Sequence, residues 1–223
     1  MKKILYIYIV LYSSFCFSQN IFLTEAKEIH ANSDKFLYAL KEEPKTDAQY
    51  LGKIEVSGFS NDDAAVFSEI YKKAKSIGGN SYFMKPAENI EGNSTFNPHH
   101  YILYIYYKEK QTIPQKENTV YLINPEKEIE VRINNKKINL PQRSFLQLDL
   151  SQQEITDISV GKFLGSRIKL QAKNNQPEQY FQISGKKISA NSPASPGINY
   201  KTGDIIALEK SFAEFLLTIY EKF

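Results

Sequence analysis

The chain has 223 residues, enough for one large or two small domains at roughly 100 to 200 residues each. Hydrophobic residues make up 42% and charged residues 24%, with 10 glycines and 9 prolines, which excludes a disordered, collagen-like or low-complexity protein. The formal charge of +3 arises from 28 Lys and Arg against 25 Asp and Glu, and two of those basic residues are Lys2 and Lys3.

Lys2 and Lys3 form a basic start, Ile4 to Phe17 an apolar run, and Ser18 a small residue ahead of Gln19. That is the pattern of a secretory signal peptide over residues 1–18. The apolar run covers 14 residues, short of the about 20 that cross a bilayer as a helix. The expectation is an exported chain, in the periplasm or cell envelope, with no transmembrane segment after cleavage. Without residues 1–18 the formal charge falls to +1, which leaves no electrostatic case for a nucleic-acid partner. Cys16, the only cysteine, would leave with the leader, so the mature chain would hold neither a disulfide nor a thiolate ligand.

In the mature chain, residues 24–41 suit either a strand or a helix, and the segment Lys35 to Lys41 is read as a strand. Tyr50 to Gly58 alternates imperfectly, yet its β-branched residues and closing glycine indicate a strand. A helix follows. Ser60 and Asp63 have capping-box spacing, and Val66, Phe67, Ile70, Tyr71, Ala74 and Ile77 recur on one face. Gly78 and Gly79 end it, with the left-handed turn assigned to Gly79. Tyr101 to Lys108 is apolar or aromatic at seven consecutive positions, which predicts a strand covered on both faces. These elements make a ββαβ-type module over residues 19–108, followed by a charged linker at 109–118 that contains Pro114.

The next block reads as seven short strands: Thr119 to Asn124, Glu128 to Asn134, Lys137 to Leu140, Ser144 to Leu150, Thr156 to Gly161, Arg167 to Ala172 and Gln179 to Ser184. Asn134 and Asn135 can supply the positive φ angles of a tight hairpin. An antiparallel β-sandwich-like module over 119–190 is expected, then a loop over 191–203 and an amphipathic helix over 204–223 capped by Asp204. The helix carries Ile205, Leu208, Phe212, Phe215, Leu216, Ile219 and Phe223 on one face, which must be covered. Docking on the chain's own sheets is preferred, with Phe212, Phe215 and Leu216 as partner-facing anchors in the alternative. The fold class is therefore α+β.

The strand at Tyr50 to Gly58, followed by a helix closing in AKSIGGNSY, resembles small exported bacterial modules of the YbjQ-like and RcsF-like kind over residues 50–108. Gly52, Ile54, Ala74, Gly78 and Asn80 match that pattern, while Gly79 stands where alanine is usual. The resemblance implies a cell-envelope protein in which Gly52, Gly78, Gly79 and Asn80 are structural. Residues 119–150 are similar, more loosely, to PEGA-type β-sandwich modules, with Asn135 in place of the usual turn glycine. This resemblance implies a binding or spacing unit.

Catalytic signatures are missing from the sequence: it has no G-x-S-x-G and no HExxH. Asp62 and Asp63 look like a carboxylate pair but fall in the first helical turn, where acids favour the dipole. Gly78 and Gly79 follow a helix, whereas a phosphate-cradling loop precedes one. His99 and His100 are the metal candidates, with Glu88 and Glu91 as added oxygen ligands, but neighbours in a strand point to opposite faces. Tyr104 and Tyr106 share a face and could stack on a ligand, as an alternative to packing in the core. No catalytic residue and no cofactor is assigned. The sequence thus points to a non-catalytic envelope protein that binds or braces an envelope protein or polymer. A hydrolase acting on envelope polymers and a zinc-binding module are the alternatives.

Overall fold

The computed structural model describes residues 19–86, 96–110, 113, 116–161, 165–185, 187–190 and 198–223, and the chain divides into two compact units, Met1–Ile113 and Pro114–Phe223. The leader, Glu88 and Glu91 lie outside the described residues. The fold is α+β and mostly β.

In the first unit, strands β1 (Asn20–Ala26), β2 (Tyr38–Leu40), β3 (Gln49–Ser57), β4 (Ser81–Pro86) and β5 (His100–Tyr107) form a sheet in the order β1-β3-β5-β4-β2. β5 is antiparallel to both β3 and β4, so helix α1 (Asp63–Ser76) is the crossover between two parallel strands that flank it. The ββαβ reading is thus extended by two strands. β1 replaces the helix considered from Thr24, because its backbone completes the edge of β3 through the ladder from Asn20↔Ser57 to Ala26↔Gly52.

α1 starts two residues after the place the capping-box spacing gave it. Asp62 is the N-cap and its carboxylate accepts from the Ala65 N–H at 2.9 Å, while the Ser60 hydroxyl accepts from the Asp62 N–H at 3.0 Å. The apolar face is as the spacing required: Val66, Phe67, Ile70 and Ala74 are buried, with Ile77 just beyond. The helix packs on β1 and β3, and Ile54, Val56, Leu103 and Ile105 are fully buried on the sheet; each such side chain contributes about 1.5–3 kcal/mol.

The end of α1 corrects the assignment to Gly79. Gly78 carries the positive φ, +81°, and its N–H donates to Lys75 O at 3.0 Å while the Gly79 N–H donates to Ala74 O at 2.9 Å, a Schellman closure. A Cβ at Gly78 would lie 1.7 Å from the His30 carbonyl oxygen, and one at Gly52 would lie 2.3 Å from that of Glu25. These glycines let β1 and the segment after it pass close to the sheet and helix. Asn80 then locks the exit: its amide donates to Lys108 O at 2.7 Å and accepts from the Lys108 N–H at 2.9 Å.

In the second unit, β6 (Thr119–Asn124), β7 (Ile129–Ile133), β8 (Lys136–Leu140), β9 (Ser144–Asp149), β10 (Thr156–Val160), β11 (Ser166–Leu170) and β12 (Gln179–Ser184) occupy the places of the seven expected strands. β13 (Lys187–Ala190) and β14 (Ile198–Lys201) pair as a hairpin, so part of the segment read as a loop is strand. One sheet runs β11-β10-β7-β8; the other adds β15 (Asp204–Ala207) and β16 (Glu221–Lys222) in the order β15-β12-β6-β9-β16. Val120, Leu122 and Ile183 of one sheet and Val131, Leu140, Ile158 and Val160 of the other form a common core. The sandwich is mixed rather than antiparallel, since β12 runs parallel to β6 and β16 parallel to β9. Asn134 and Asn135 turn the β7–β8 hairpin with φ of 49° and 68°.

The terminal helix is shorter than the stripe implied: α2 spans Lys210–Ile219 and is capped by Glu209, whose carboxylate accepts from the Phe212 N–H at 3.0 Å. Asp204 opens a strand instead. The β12 edge offers Asp204–Ala207 a ladder from Ser184↔Asp204 to Phe181↔Ala207, and β9 likewise takes Glu221 and Lys222, leaving Phe223 54% exposed. α2 packs on β12 and buries Ala213, Phe215, Leu216 and Ile219. Phe215 and Leu216 therefore belong to this unit's own packing, and Phe212 is half-buried.

Candidate functional site

Among the described residues the first unit's sheet carries one helix, α1, and its opposite face carries Tyr50, Tyr104, Tyr106, Phe83 and Phe22. Alternation along β5 buries Tyr101, Leu103 and Ile105 completely, whereas Ile102 and Tyr104 on the opposite face are half-buried and Tyr106 is buried. The expectation of a strand covered on both faces is corrected in this respect. Tyrosine satisfies both environments, because its ring packs while its hydroxyl stays polar.

The ladders align this second face into rows. Tyr50, Tyr106, Ser81 and Tyr38 lie side by side across β3, β5, β4 and β2; Lys53, Tyr104, Phe83 and Leu40 make the next row. A third row runs Phe22, Glu55, Ile102 and Lys85, where Phe22 is 55% exposed. Burial thus falls from the Tyr38 end of the face to the Phe22 end. Tyr50 joins Tyr104 and Tyr106 with ring centroids 6.2 and 5.5 Å apart.

Tyr50 and Lys53 share a face because the ladder shifts register between Tyr50 and Gly52, inserting Leu51 as a bulge. That bulge explains the imperfect alternation of the sequence and hides Tyr50 from any strict period-2 reading. Phe22 and Phe83 were missed because β1 and β4 were not read as strands. Only the β-branched and aromatic content of NIFLT and SYF could have signalled them.

The Tyr50 and Tyr106 hydroxyls remain neutral well past physiological pH. Burial pushes Tyr106 up to about 12, with Glu43 adding to it. Burial raises Tyr50 further, helped by Glu25, whose carboxylate accepts from the Tyr50 hydroxyl at 3.2 Å. Neutral hydroxyls can donate and accept, which suits a contact surface rather than a nucleophile.

The histidines do not converge. His99 stands 5.1 Å from the Phe59 ring, whereas His100 Nε2 lies 3.0 Å from Glu55 Oε1. Among the described residues no group of three or more His, Cys, Asp or Glu comes together. Asp62, one of the sequence's paired carboxylates, is occupied as a helix cap.

In the second unit Glu178 and Glu214 do approach each other, but around a lysine. Lys210 Nζ lies 3.0 Å from Glu178 and 3.6 Å from Glu214, whose carboxylate accepts from the Tyr180 hydroxyl at 3.4 Å. Burial, with the two glutamates, raises Tyr180 far above the ordinary tyrosine value. The cluster ties α2 to β12. No family model, curated protein or solved structure matches the chain.

Proposed function

We propose that the chain is a non-catalytic, exported protein of the cell envelope that binds or braces another envelope component through the second face of the first unit's sheet. The observation that carries this reading is the row structure of that face: Tyr50, Tyr104, Phe83, Ile102 and Phe22 interleaved with Lys53, Glu55 and Lys85. Such a surface combines aromatic contact area at low entropic cost with charges that fix register, the composition of a protein interface. A flat sheet face suits a folded protein partner more than a small ligand. The leader pattern over residues 1–18 supports export, and the resemblance of residues 50–108 to exported modules supports the envelope. No helix among the described residues is long and apolar enough to cross a membrane.

The test is site-directed photo-crosslinking in the exporting host, with the photoreactive residue at Phe22 or at Glu126, which is exposed in the other unit. A discrete protein adduct from position 22 alone is expected, on a chain whose intact mass begins at Gln19. Identical adducts from both positions, or none from position 22, would overturn the contact surface. A retained leader would overturn the assignment to a soluble exported form.

A further inference from the structure

The second unit has a groove of about 560 Å³ beside the end of β11, within the about 300–1,000 Å³ usual for small-molecule sites. Ile155, Lys169, Leu170, Lys173, Gln176 and Gln179 are among the residues that line it. Two of these carry the argument. The side-chain oxygens Oε1 of Gln176 and of Gln179 are buried without a hydrogen-bond partner, a state that native structures rarely leave uncompensated. An unpaired buried acceptor costs folding free energy, and a donor delivered by a ligand recovers it.

The site is firmly built. The Asn118 N–H donates to Gln176 O at 2.9 Å and the Asn118 side chain accepts from the Lys173 N–H at 2.9 Å, which fixes the turn carrying Lys173, Asn174 and Gln176. The Gln152 side chain donates to Asn174 Oδ1 at 3.1 Å, and Gln171 donates to Gln152 O at 2.7 Å. Gln179 opens β12 beside Val120.

The remaining chemistry defines what fits. Lys169 and Lys173 are exposed, and neither ammonium makes an ion pair or hydrogen bond among the described residues. Lys169 is close enough to Asp157 to help hold its carboxyl down, but the Arg167 guanidinium already takes that carboxylate at 2.7 Å. Ile155 is 56% exposed and lies with Leu170 in the wall, an apolar surface for the C–H face of a ring. Two unpaired acceptors, two exposed cations and an apolar shelf match one class of ligand.

We propose that this groove binds an acidic saccharide, a uronate whose hydroxyls donate to Gln176 and Gln179 and whose carboxylates meet Lys169 and Lys173. This assignment goes beyond the protein contact made by the first unit and does not depend on it. The experiment is calorimetric titration of the mature chain at low salt with trigalacturonate, maltotriose, sodium acetate and a blocked acidic tripeptide. Trigalacturonate should bind with a Kd on the order of 1 mM or tighter, and Lys173→Ala should weaken it about fivefold or more. Gln179→Leu is the sharper variant: it should lose binding by a similar factor while its melting temperature is unchanged or raised, since an orphan acceptor is removed. Tyr50→Ser with Tyr104→Ser should leave the titration unchanged, which separates this site from the contact face. Equal binding of maltotriose, displacement by acetate alone, tighter binding of the acidic tripeptide, or no binding of trigalacturonate would each overturn the proposal.

Discussion

Two neighbouring strands of similar composition, β5 and β6, end in different environments. HYILYIYY alternates between buried and half-buried positions, while every position of TVYLIN is buried. The difference lies in what covers them. β6 is central in a sheet that has a second sheet on one side and α2 against β12, its neighbour, on the other; its Val120 and Leu122 enter the sandwich core, and Tyr121 stacks on Tyr180 at 5.3 Å. β5 is equally central, but among the described residues its sheet carries a single helix, α1, which contacts β1 and β3. Central position in a sheet does not by itself bury both faces: Ile102 and Tyr104 stay half-buried and only Tyr106, packed beside Tyr50, is buried, and tyrosine suits both environments.

The largest effect is expected at α2. If that helix is the layer that closes the second unit, Phe215→Ala should cost about 3–5 kcal/mol in denaturant unfolding, because Phe215 is completely buried. An unchanged midpoint would mean that the helix is not a structural layer. In the first unit the corresponding weak point is the exit of α1. Gly78→Val combines a left-handed backbone with a collision against the His30 carbonyl and should cost about 2–4 kcal/mol, whereas Gly79→Val, with no left-handed φ, meets the Ile105 γ-methyl at 2.3 Å and the Ala74 carbonyl oxygen at 3.1 Å and should cost less. The reverse ranking would return the turn to Gly79.

A subtler distinction is a pH effect on Tyr106, the buried member of the tyrosine face. Its hydroxyl is raised from 10.0 to about 12, so above pH 10 the unfolded chain ionises first and binds fewer protons than the native chain. Stability should therefore fall as pH rises from 10 to about 12, by on the order of 2 kcal/mol, and Tyr106→Phe should remove that part of the slope. Equal alkaline slopes in the two proteins would show that the ring is not desolvated. The smallest effect is expected at the β7–β8 turn. Asn135→Gly should change stability by no more than about 0.5 kcal/mol, while Asn134→Gly should cost about 1 kcal/mol because Asn134 Oδ1 accepts from the Asp157 N–H at 2.8 Å.

What the sequence revealed follows the same division. The seven strands of the sandwich were legible because turn residues punctuate them, as Asn134 and Asn135 do, and α1 was legible because its stripe is long. The limits of α2 were not. Ile205 and Leu208 continue a helical stripe by spacing, and only the free β12 edge, set by residues about twenty positions earlier, turns Asp204–Ala207 into strand. The contact face was half visible: Tyr104 and Tyr106 could be placed together by alternation, but Tyr50 needed the Leu51 bulge and Phe22 needed β1. The groove left no sequence signal, since Ile155, Lys169 and Gln179 meet only through the sandwich.

The most direct measurement is tyrosine nitration of the mature chain, mapped by peptide mass with and without purified envelope from the exporting host. Half-buried Tyr50 and Tyr104 should be modified in the free protein, while Tyr121 and Tyr180, stacked and buried, should resist. Adding envelope should protect Tyr50 and Tyr104. Modification of those two residues that is unaffected by envelope, or protection that falls instead on the second unit alone, would contradict the assignment of the first unit's sheet as the contact surface.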